Sequence, residues 1–348
     1  MADYNMYDRI LGSLITSGVG GALGAAVESF SPDEIRRQFG RVTGFVDPSF
    51  NEVTFDNRVG EIADDTSQLI EITRMVIEKK GALTPQDAAQ ALINWSENWP
   101  RYYPSRAGKT TAYAVPVLKQ GKDPEEVAMF GKHWGRGETN GAAARVAAAG
   151  LINPGNLDGA VETAIAIVSP SHGTQHGYAG ACAIACAVAE AMTENADVWS
   201  VLKAAFWGAQ RGHEIGLAET RDALGPTVVG RSSRAVAAAL VSGDICEAED
   251  KINRLMGDET FNVQSAVAVA LAMFAAADGD TMKTLEACVN FGGDADTLAC
   301  VGGMIAGALN GSAALDPKLR QEFEEANPDV DLEALAKGLF AIAMDRKV

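Results

Sequence analysis

The spacing of apolar side chains predicts α-helices along most of this chain. Apolar residues recur at intervals of three and four, as in Ile10, Leu11, Leu14 and Ile15, which is the period of one helix face. This pattern covers about residues 7–29, 33–39, 69–77, 88–95, 142–149, 179–192, 197–212, 231–241, 262–276, 281–290, 297–309 and 330–345. Strand-like runs are scarce, and no low-complexity linker divides the chain. We therefore predict a compact all-α fold in which residues 1–348 form a single domain.

Glycine interrupts the first of these helices unusually often. Gly12, Gly18, Gly20, Gly21 and Gly24 all lie in the segment, although each glycine destabilises a helix interior. Either the helix packs very closely against a neighbour, or it breaks near Gly20 and Gly21. The low aromatic content of 7% fits close packing of helices with small side chains.

The charge balance excludes some classes of partner. The chain carries a formal net charge of −17, and a field of that sign repels nucleic-acid phosphates and anionic membranes. We therefore predict no nucleic-acid partner and no membrane partner. An anionic small molecule remains compatible with this charge, because bound metal ions reverse the local field.

The cysteines and the N-terminus indicate a cellular compartment. Five cysteines, an odd number, are scattered through apolar helical segments, so we expect free, buried thiols in a reducing environment. The first residues lack a basic region followed by an apolar stretch. Because no run of about 18 strongly apolar residues exists either, we expect a cytoplasmic protein.

Two acidic motifs carry the candidate chemistry. Gly292-Gly293 precede Asp294, Asp296 and Thr297, and a helix of small apolar residues follows. Acidic and hydroxyl residues are also ordinary helix caps, so this motif alone is ambiguous. A second motif, residues 64–66, repeats the design as Asp-Asp-Thr before another apolar helix.

Convergence of the two motifs would create a metal site. Asp64, Asp65, Asp294 and Asp296 would then repel one another strongly unless cations compensate them. Two divalent ions would match the four negative charges. Ligands that are all oxygen atoms favour Mg²⁺ or Mn²⁺ over zinc or copper.

Two other motifs carry less weight. Gly108-Lys109-Thr110 imitates the end of a phosphate-binding loop, but Tyr103 occupies the position of the required earlier glycine. His172 and His176 have the spacing of a helical zinc pair, but Gly173 replaces the glutamate of a protease signature. We reject the nucleotide loop and favour a structural role for the histidine pair.

The ordered set of motifs resembles the ADP-ribosylglycohydrolase family, which includes the dinitrogenase-reductase-activating glycohydrolases. Residues 20–28 are similar to its first glycine-rich helix, and residues 63–66 to its first metal motif. Residues 139–145 resemble its substrate loop, and residues 171–172 its mid-chain histidine motif. Residues 292–297 are the closest match. The resemblance runs from about residue 10 to residue 310.

The resemblance implies an all-α enzyme that holds two Mg²⁺ or Mn²⁺ ions. It implies that the metal ligands are Asp64, Asp65, Asp294, Asp296 and Thr297. It further implies that Glu28, Asn140, Gly141 and His172 line the part of the site that holds ribose and phosphate. The expected substrate is an ADP-ribosylated protein or a small ribosyl molecule.

Three residues affect which substrate we expect. Ala63 stands where the family usually has a threonine whose hydroxyl joins the metal shell, and Gly21 stands where it usually has an aspartate. Glu138 lies in a loop expected near a pyrophosphate, although Arg136 could offset its charge.

We hypothesise metal-assisted hydrolysis of a bond at the ribosyl C1 atom, with Glu28, Asp65 and Asp296 as catalytic residues. Glu28 is the leading candidate for an acid/base or positioning role. Glu138 and Gly21 motivate an alternative, hydrolysis of a smaller N-riboside such as a nucleoside. Ala63 motivates another, a homologue that binds ADP-ribose without cleaving it.

Overall fold

A computed structural model describes residues 5–129, 137–256 and 259–346 of the chain. Arg136, considered above as a counter-charge for Glu138, lies outside these ranges. The α-helices of the described residues, in chain order, are α1 (Met6–Ala25), α2 (Pro32–Phe39), α3 (Asp64–Glu78), α4 (Pro85–Asn98), α5 (Lys109–Leu118), α6 (Pro124–Met129), α7 (Gly141–Ala144), α8 (Ala147–Leu151), α9 (Leu157–Val168), α10 (Gln175–Ala191), α11 (Val198–Glu219), α12 (Val228–Leu240), α13 (Ile245–Met256), α14 (Val263–Ala276), α15 (Thr281–Phe291), α16 (Ala295–Asn310), α17 (Pro317–Ala326) and α18 (Leu332–Arg346).

The all-α prediction is confirmed for the described residues. Their only β-type pairings are two isolated bridges, Thr139 with Asn262 and Thr174 with Arg221. The apolar periodicity located most helices correctly. The run at 142–149 is divided into the short helices α7 and α8, and the helix predicted at 7–29 ends at Ala25. The assignment of residues 1–348 to one domain stays a prediction.

Helix α1 is continuous through Gly20 and Gly21, so close packing is the correct explanation of its glycines. α1 and α16 are the most extensively contacting helix pair in the described ranges. A Cβ atom on Gly20 would overlap the carbonyl oxygen of Ala299, and one on Gly24 would overlap that of Ala295. The two backbones therefore approach to a distance that only glycine permits.

Helices α10, α14 and α16 are buried on nearly all sides. A helix without a polar face belongs in the interior of a protein or in a membrane. Here the surrounding helices provide the interior. None of the helices in the described ranges combines the length and the apolarity needed to cross a bilayer.

All five cysteines are free, as predicted, but the expectation that all are buried is wrong for Cys246. Cys246 lies on α13, an amphipathic surface helix that buries one face and leaves Cys246 outside it. Cys182, Cys186, Cys288 and Cys300 lie on interior helices, where burial raises the pKa of each thiol.

Candidate metal centre and its cavity

The first acidic motif forms the start of α3. Asp64 and Asp65 are its first two residues, where the positive end of the helix dipole favours negative charge. The Ser67 hydroxyl donates to the backbone oxygen of Asp64 at 2.6 Å, and the indole nitrogen of Trp95 donates to Ser67 at 2.7 Å. A buried aromatic residue of α4 thus fixes the first turn of α3.

The second acidic motif begins at a glycine turn before α16. Gly292 and Gly293 have φ of +73° and +64°, values that glycine adopts without strain. The Ser29 amide donates to the Gly293 oxygen at 2.7 Å, and the Gly293 amide donates to the Phe30 oxygen at 2.8 Å. This reciprocal pair of backbone bonds joins the glycine turn to the segment that follows α1, which contains Glu28.

The structure brings the two motifs together. The hydroxyl of Thr297 donates to the carboxylate of Asp65, across 232 positions of sequence. Carboxylate oxygens of Glu28, Asp294 and Asp296 all lie within 4.8 Å of one another. Asp64 and Asp65 line the same cavity as these three acids, so carboxylates from three distant parts of the chain meet there.

These acids share one cavity of about 340 Å³. It is lined by Glu28, Asp64, Asp65, Gln68, Arg106, Gly108, Lys109, Thr111, Thr139, Asn140, Gly141, Arg145, Phe261, Asp294, Asp296 and Thr297. Every predicted catalytic residue, every predicted metal ligand, and two of the three predicted substrate-binding residues are in this set.

Burial and mutual repulsion disfavour the charged carboxylates. Burial raises the pKa of Asp294 to about 7. Burial, followed by the charges of neighbouring carboxylates, raises the pKa values of Asp64, Asp296 and Glu28 well above their usual range. For Asp65, burial again raises the pKa, but the Thr297 hydrogen bond opposes the shift.

The donor set fits hard divalent cations. All candidate ligands are oxygen atoms, and the neutralisation that the cluster lacks is what such ions supply. Asp64, Asp65, Asp294, Asp296 and Thr297 are the residues that would hold them. The Glu28 carboxylate belongs to the same group, because it lies within 4.8 Å of those of Asp294 and Asp296.

One buried cation accompanies the acids. Arg145 donates from Nε to the Gly141 oxygen at 2.7 Å and from Nη2 to the Thr111 hydroxyl at 3.0 Å. In the described part of the chain, its Nη1 atom has no hydrogen-bond partner. Burial lowers the pKa of Arg145 to about 10, so the guanidinium stays charged at neutral pH. Together with bound divalent ions, it would offset the negative charge of the aspartates.

The predicted substrate-binding residues occupy two different positions. Asn140 donates from Nδ2 to Asp294 at 2.6 Å, and Gly141 lines the cavity. His172 is fully buried and reaches the cavity only through Thr139, whose hydroxyl lies 2.9 Å from Nε2. Burial lowers the pKa of His172 well below its usual range. We therefore expect a neutral ring that positions Thr139.

The sequence patterns do not identify two cations of the cavity wall. Arg106 and Lys109 line the cavity, but their segment resembles a nucleotide loop only in part and gives no other local signature of a site. The concentration of basic residues in this segment is the sequence feature that could have identified them. Glu138 has a counter-charge in Arg221, at 3.8 Å, which no local pattern indicated.

Ala63 and Gly21 lie side by side. A Cβ atom on Gly21 would stand 3.5 Å from the Ala63 side chain and 3.0 Å from the Thr66 hydroxyl. That hydroxyl is buried and has no hydrogen-bond partner among the described residues. Ala63 is the N-cap of α3, with the extended backbone of a capping residue but no side chain able to accept a hydrogen bond.

Comparison with known proteins extends over the whole fold. Residues 2–347 match the family model described as ADP-ribosylglycohydrolase. The chain is 26% identical over 342 residues to the uncharacterized protein YegU of Escherichia coli, which covers 98% of each chain. An uncharacterized protein of Archaeoglobus fulgidus is 28% identical over 151 residues, 42% of this chain and 44% of that one. A solved structure described as an ADP-ribosylglycohydrolase-related protein complex shares the fold, with a TM-score of 0.66 and 21% identity over 97% of this chain and 99% of its own.

We predict that Ala63→Thr stabilises the metal-free protein by about 1 kcal/mol, because the new hydroxyl caps α3. The measurement is urea unfolding in excess chelator. Ala63→Val, which has the same shape but no hydroxyl, is the matched control and should give no gain. Equal stability of the threonine and valine variants would contradict the capping role.

We predict that Mn²⁺ raises the melting temperature more at pH 8 than at pH 6. In the metal-free fold the carboxyl pKa values are raised, that of Asp294 to about 7. The folded state therefore binds more protons than the unfolded chain, and these groups lower its stability as pH rises from about 4 towards 7. At higher pH fewer protons compete with the cation for the same oxygen atoms.

Thermal unfolding with Mn²⁺ and with chelator, at both pH values, measures this increment. Asp294→Asn is the control, because an amide does not titrate. Equal Mn²⁺ increments at pH 6 and pH 8 in the natural protein would show that the buried carboxyls do not bind the ion.

Proposed function

This chain belongs to the ADP-ribosylglycohydrolase family, and on that premise we propose that it releases ADP-ribose by hydrolysing a glycosidic bond at the ribosyl C1 atom. Family membership supports a hydrolase of glycosyl bonds in general. The proposed substrate is an ADP-ribosylated protein side chain or a small ADP-ribosylated molecule. The proposed cofactors are two divalent cations, Mg²⁺ or Mn²⁺, held by Asp64, Asp65, Asp294, Asp296 and Thr297.

The observation that carries this proposal is the convergence of both acidic motifs in one cavity. A cluster of buried carboxylates is unfavourable by itself. The cluster forms from separate helix starts, with Thr297 bonded to Asp65. It is therefore best explained by a bound ligand that offsets the free-energy cost of burying these carboxylates. The bound cations would act as Lewis acids towards the ribose hydroxyls or the attacking water.

The protein's own groups have distinct proposed tasks. The pKa of Glu28 is raised well above its usual range, first by burial and then by the charges of Asp296 and Asp65, and this shift favours the carboxyl form that carries the proton a general acid needs. Glu28 can pass that proton to the leaving nitrogen or oxygen as the bond to C1 breaks, and then take one from the water that adds to C1. Asp65 and Asp296 stabilise the positive charge that develops on the sugar. Asn140 holds Asp294 in place.

Two cations in the cavity lining favour a phosphorylated ribosyl group over an uncharged nucleoside. Arg106 and Lys109 both line the cavity, and cations at this position suit the pyrophosphate of ADP-ribose. The repulsion expected from Glu138 is reduced by Arg221. These contacts make nucleoside hydrolysis the second candidate. The retained acids weigh against a homologue that only binds.

The test of the function is a metal-replete screen of ADP-ribosylated arginine, ADP-ribosylated serine, O-acetyl-ADP-ribose and free nucleosides. We expect release of ADP-ribose that is abolished by chelation, by Asp296→Asn and by Asp65→Asn. Asp33→Asn, which removes an exposed carboxylate of α2, is the control and should be fully active. Undiminished hydrolysis in any of the three treated samples would refute the metal assignment.

We predict that Glu28→Gln lowers kcat by about 10² to 10⁴-fold, the usual contribution of a general acid or base. The increase in melting temperature caused by Mn²⁺ should be retained, since the metal ligands remain. Steady-state kinetics and thermal unfolding of the same sample measure both effects. Loss of the Mn²⁺ effect would instead identify Glu28 as a metal ligand.

A further inference from the structure

Two histidines face each other apart from the carboxylate cavity. His176 is the second residue of α10, and His213 lies on α11, which packs against α10. Their ring centres are 6.3 Å apart, and we call these two residues the histidine pair. His172, four positions before His176, is instead bonded to Ser171 and Thr139. Neither ring of the histidine pair belongs to the lining of the carboxylate cavity.

The ring nitrogens of the histidine pair are poorly satisfied. His176 is 1% exposed, and neither its Nδ1 nor its Nε2 atom has a hydrogen-bond partner among the described residues. The buried Nδ1 atom of His213 lacks one as well. A neutral imidazole carries one donor and one acceptor, and burying them unpaired costs free energy. Such atoms are therefore expected to meet a bound ion or an ordered water.

A third polar side chain borders the same space. A Cβ atom on Gly225 would stand 3.8 Å from the Nε2 atom of His176 and 3.5 Å from the Nε2 atom of Gln264, so one point touches both side chains. The Oε1 atom of Gln264 is also buried without a hydrogen-bond partner in the described ranges. Because a half-turn of the amide exchanges its oxygen and nitrogen atoms, Gln264 can present an oxygen ligand there.

The loop that contains Gly225 is tied to the start of α10 and lies at the surface. The Nε2 atom of Gln175 donates to the Ala223 oxygen at 2.5 Å, and its Oε1 atom accepts from the Ala223 amide at 2.9 Å. Leu224, which follows, is 96% exposed. Only this short loop therefore separates His176 from the solvent, so an ion has a short path to the ring.

The surroundings favour neutral rings that can bind a cation. Burial, and then the neighbouring His213, lowers the pKa of His176, although nearby backbone oxygens oppose the shift. A metal binds the neutral form of histidine. Three arginines of the adjoining segments are engaged elsewhere: Arg221 with Glu138 at 3.8 Å, Arg231 with Ser265 at 2.8 Å, and Arg211 with Glu214 at 3.9 Å.

We propose that His176, His213 and the amide of Gln264 bind one divalent transition-metal ion of the Zn²⁺ class, separate from the ions of the carboxylate cavity. Imidazole nitrogen atoms suit Zn²⁺, Cu²⁺ and Ni²⁺, whereas a site made only of oxygen atoms suits Mg²⁺ or Mn²⁺. In the described part of the chain, no Cys, Asp or Glu joins the histidine pair at the spacing that three ligands of one ion require. Water therefore supplies the remaining ligand.

The geometry needs only a small adjustment. Two imidazoles on one zinc ion, at the usual Zn–N distance, have ring centres about 5–6 Å apart. Side-chain rotations that bring the rings about 1 Å closer than the observed 6.3 Å complete the site. The bound ion fastens the loop of Gly225 to α10, α11 and α14, since each of these helices contributes a ligand.

The test is isothermal titration calorimetry with Zn²⁺ in excess Mg²⁺, which occupies the carboxylate cavity. We expect about one Zn²⁺ per chain, with an affinity that falls about tenfold or more in His176→Gln and in His213→Gln. Asp296→Asn should keep the full affinity, because its carboxylate belongs to the other site. Cys246→Ser is the matched control, since it removes the exposed thiol, and it should also bind Zn²⁺ normally.

Electron paramagnetic resonance of the natural protein with one equivalent of Cu²⁺ needs no variant, so it decides the matter even where a histidine variant does not fold. We expect couplings to imidazole nitrogen atoms. A spectrum with oxygen ligands alone overturns the proposal. So does zinc affinity that is unchanged in both histidine variants or lost in Cys246→Ser or Asp296→Asn. Absence of zinc binding identifies an ordered water as the occupant and also overturns it. None of these measurements reads hydrolysis, so the proposed function is tested separately.

Discussion

Electrostatic repulsion among buried carboxylates is the constraint on which the rest of this structure depends. Asp64, Asp65, Asp294, Asp296 and Glu28 meet in one cavity, where burial and the charges of neighbouring acids raise their pKa values. Only a rigid scaffold can hold such a group together in the metal-free state. The close packing of α1 against α16 provides that rigidity, because the glycines let the two backbones touch. The scaffold and the chemistry therefore depend on the same two helices.

The helical fold and the acidic motifs could be predicted from the sequence because both are local. Apolar periodicity marks a helix without knowledge of its neighbours, and a carboxylate placed before an apolar helix stands out by itself. The convergence of the two acidic motifs is a hypothesis about distant segments that their similarity suggests. In the structure, the hydrogen bond from Thr297 to Asp65 joins the two motifs.

The other features of the site depend on packing between distant segments, which a local sequence pattern does not predict. Arg106 belongs to a basic loop whose position follows from its contacts with Asp56 and Asn57. His172 looked like a cavity residue, but its ring lies behind Thr139. Cys246 looked like the other cysteines until α13 was seen at the surface. The neighbouring positions of Ala63 and Gly21 also show that two sequence departures, 42 positions apart, concern one small region beside Thr66.

The pair of main-chain bonds between Ser29, Gly293 and Phe30 has a consequence for divergence within this fold. Because these bonds use backbone atoms, side-chain replacements elsewhere in the surrounding loops leave them in place, whereas Gly292 and Gly293 have no room for a Cβ atom. The distance between Glu28 and Asp294 is therefore set by the path of the backbone. The loops that form the entrance are free to acquire new preferences, while the reacting centre keeps its dimensions.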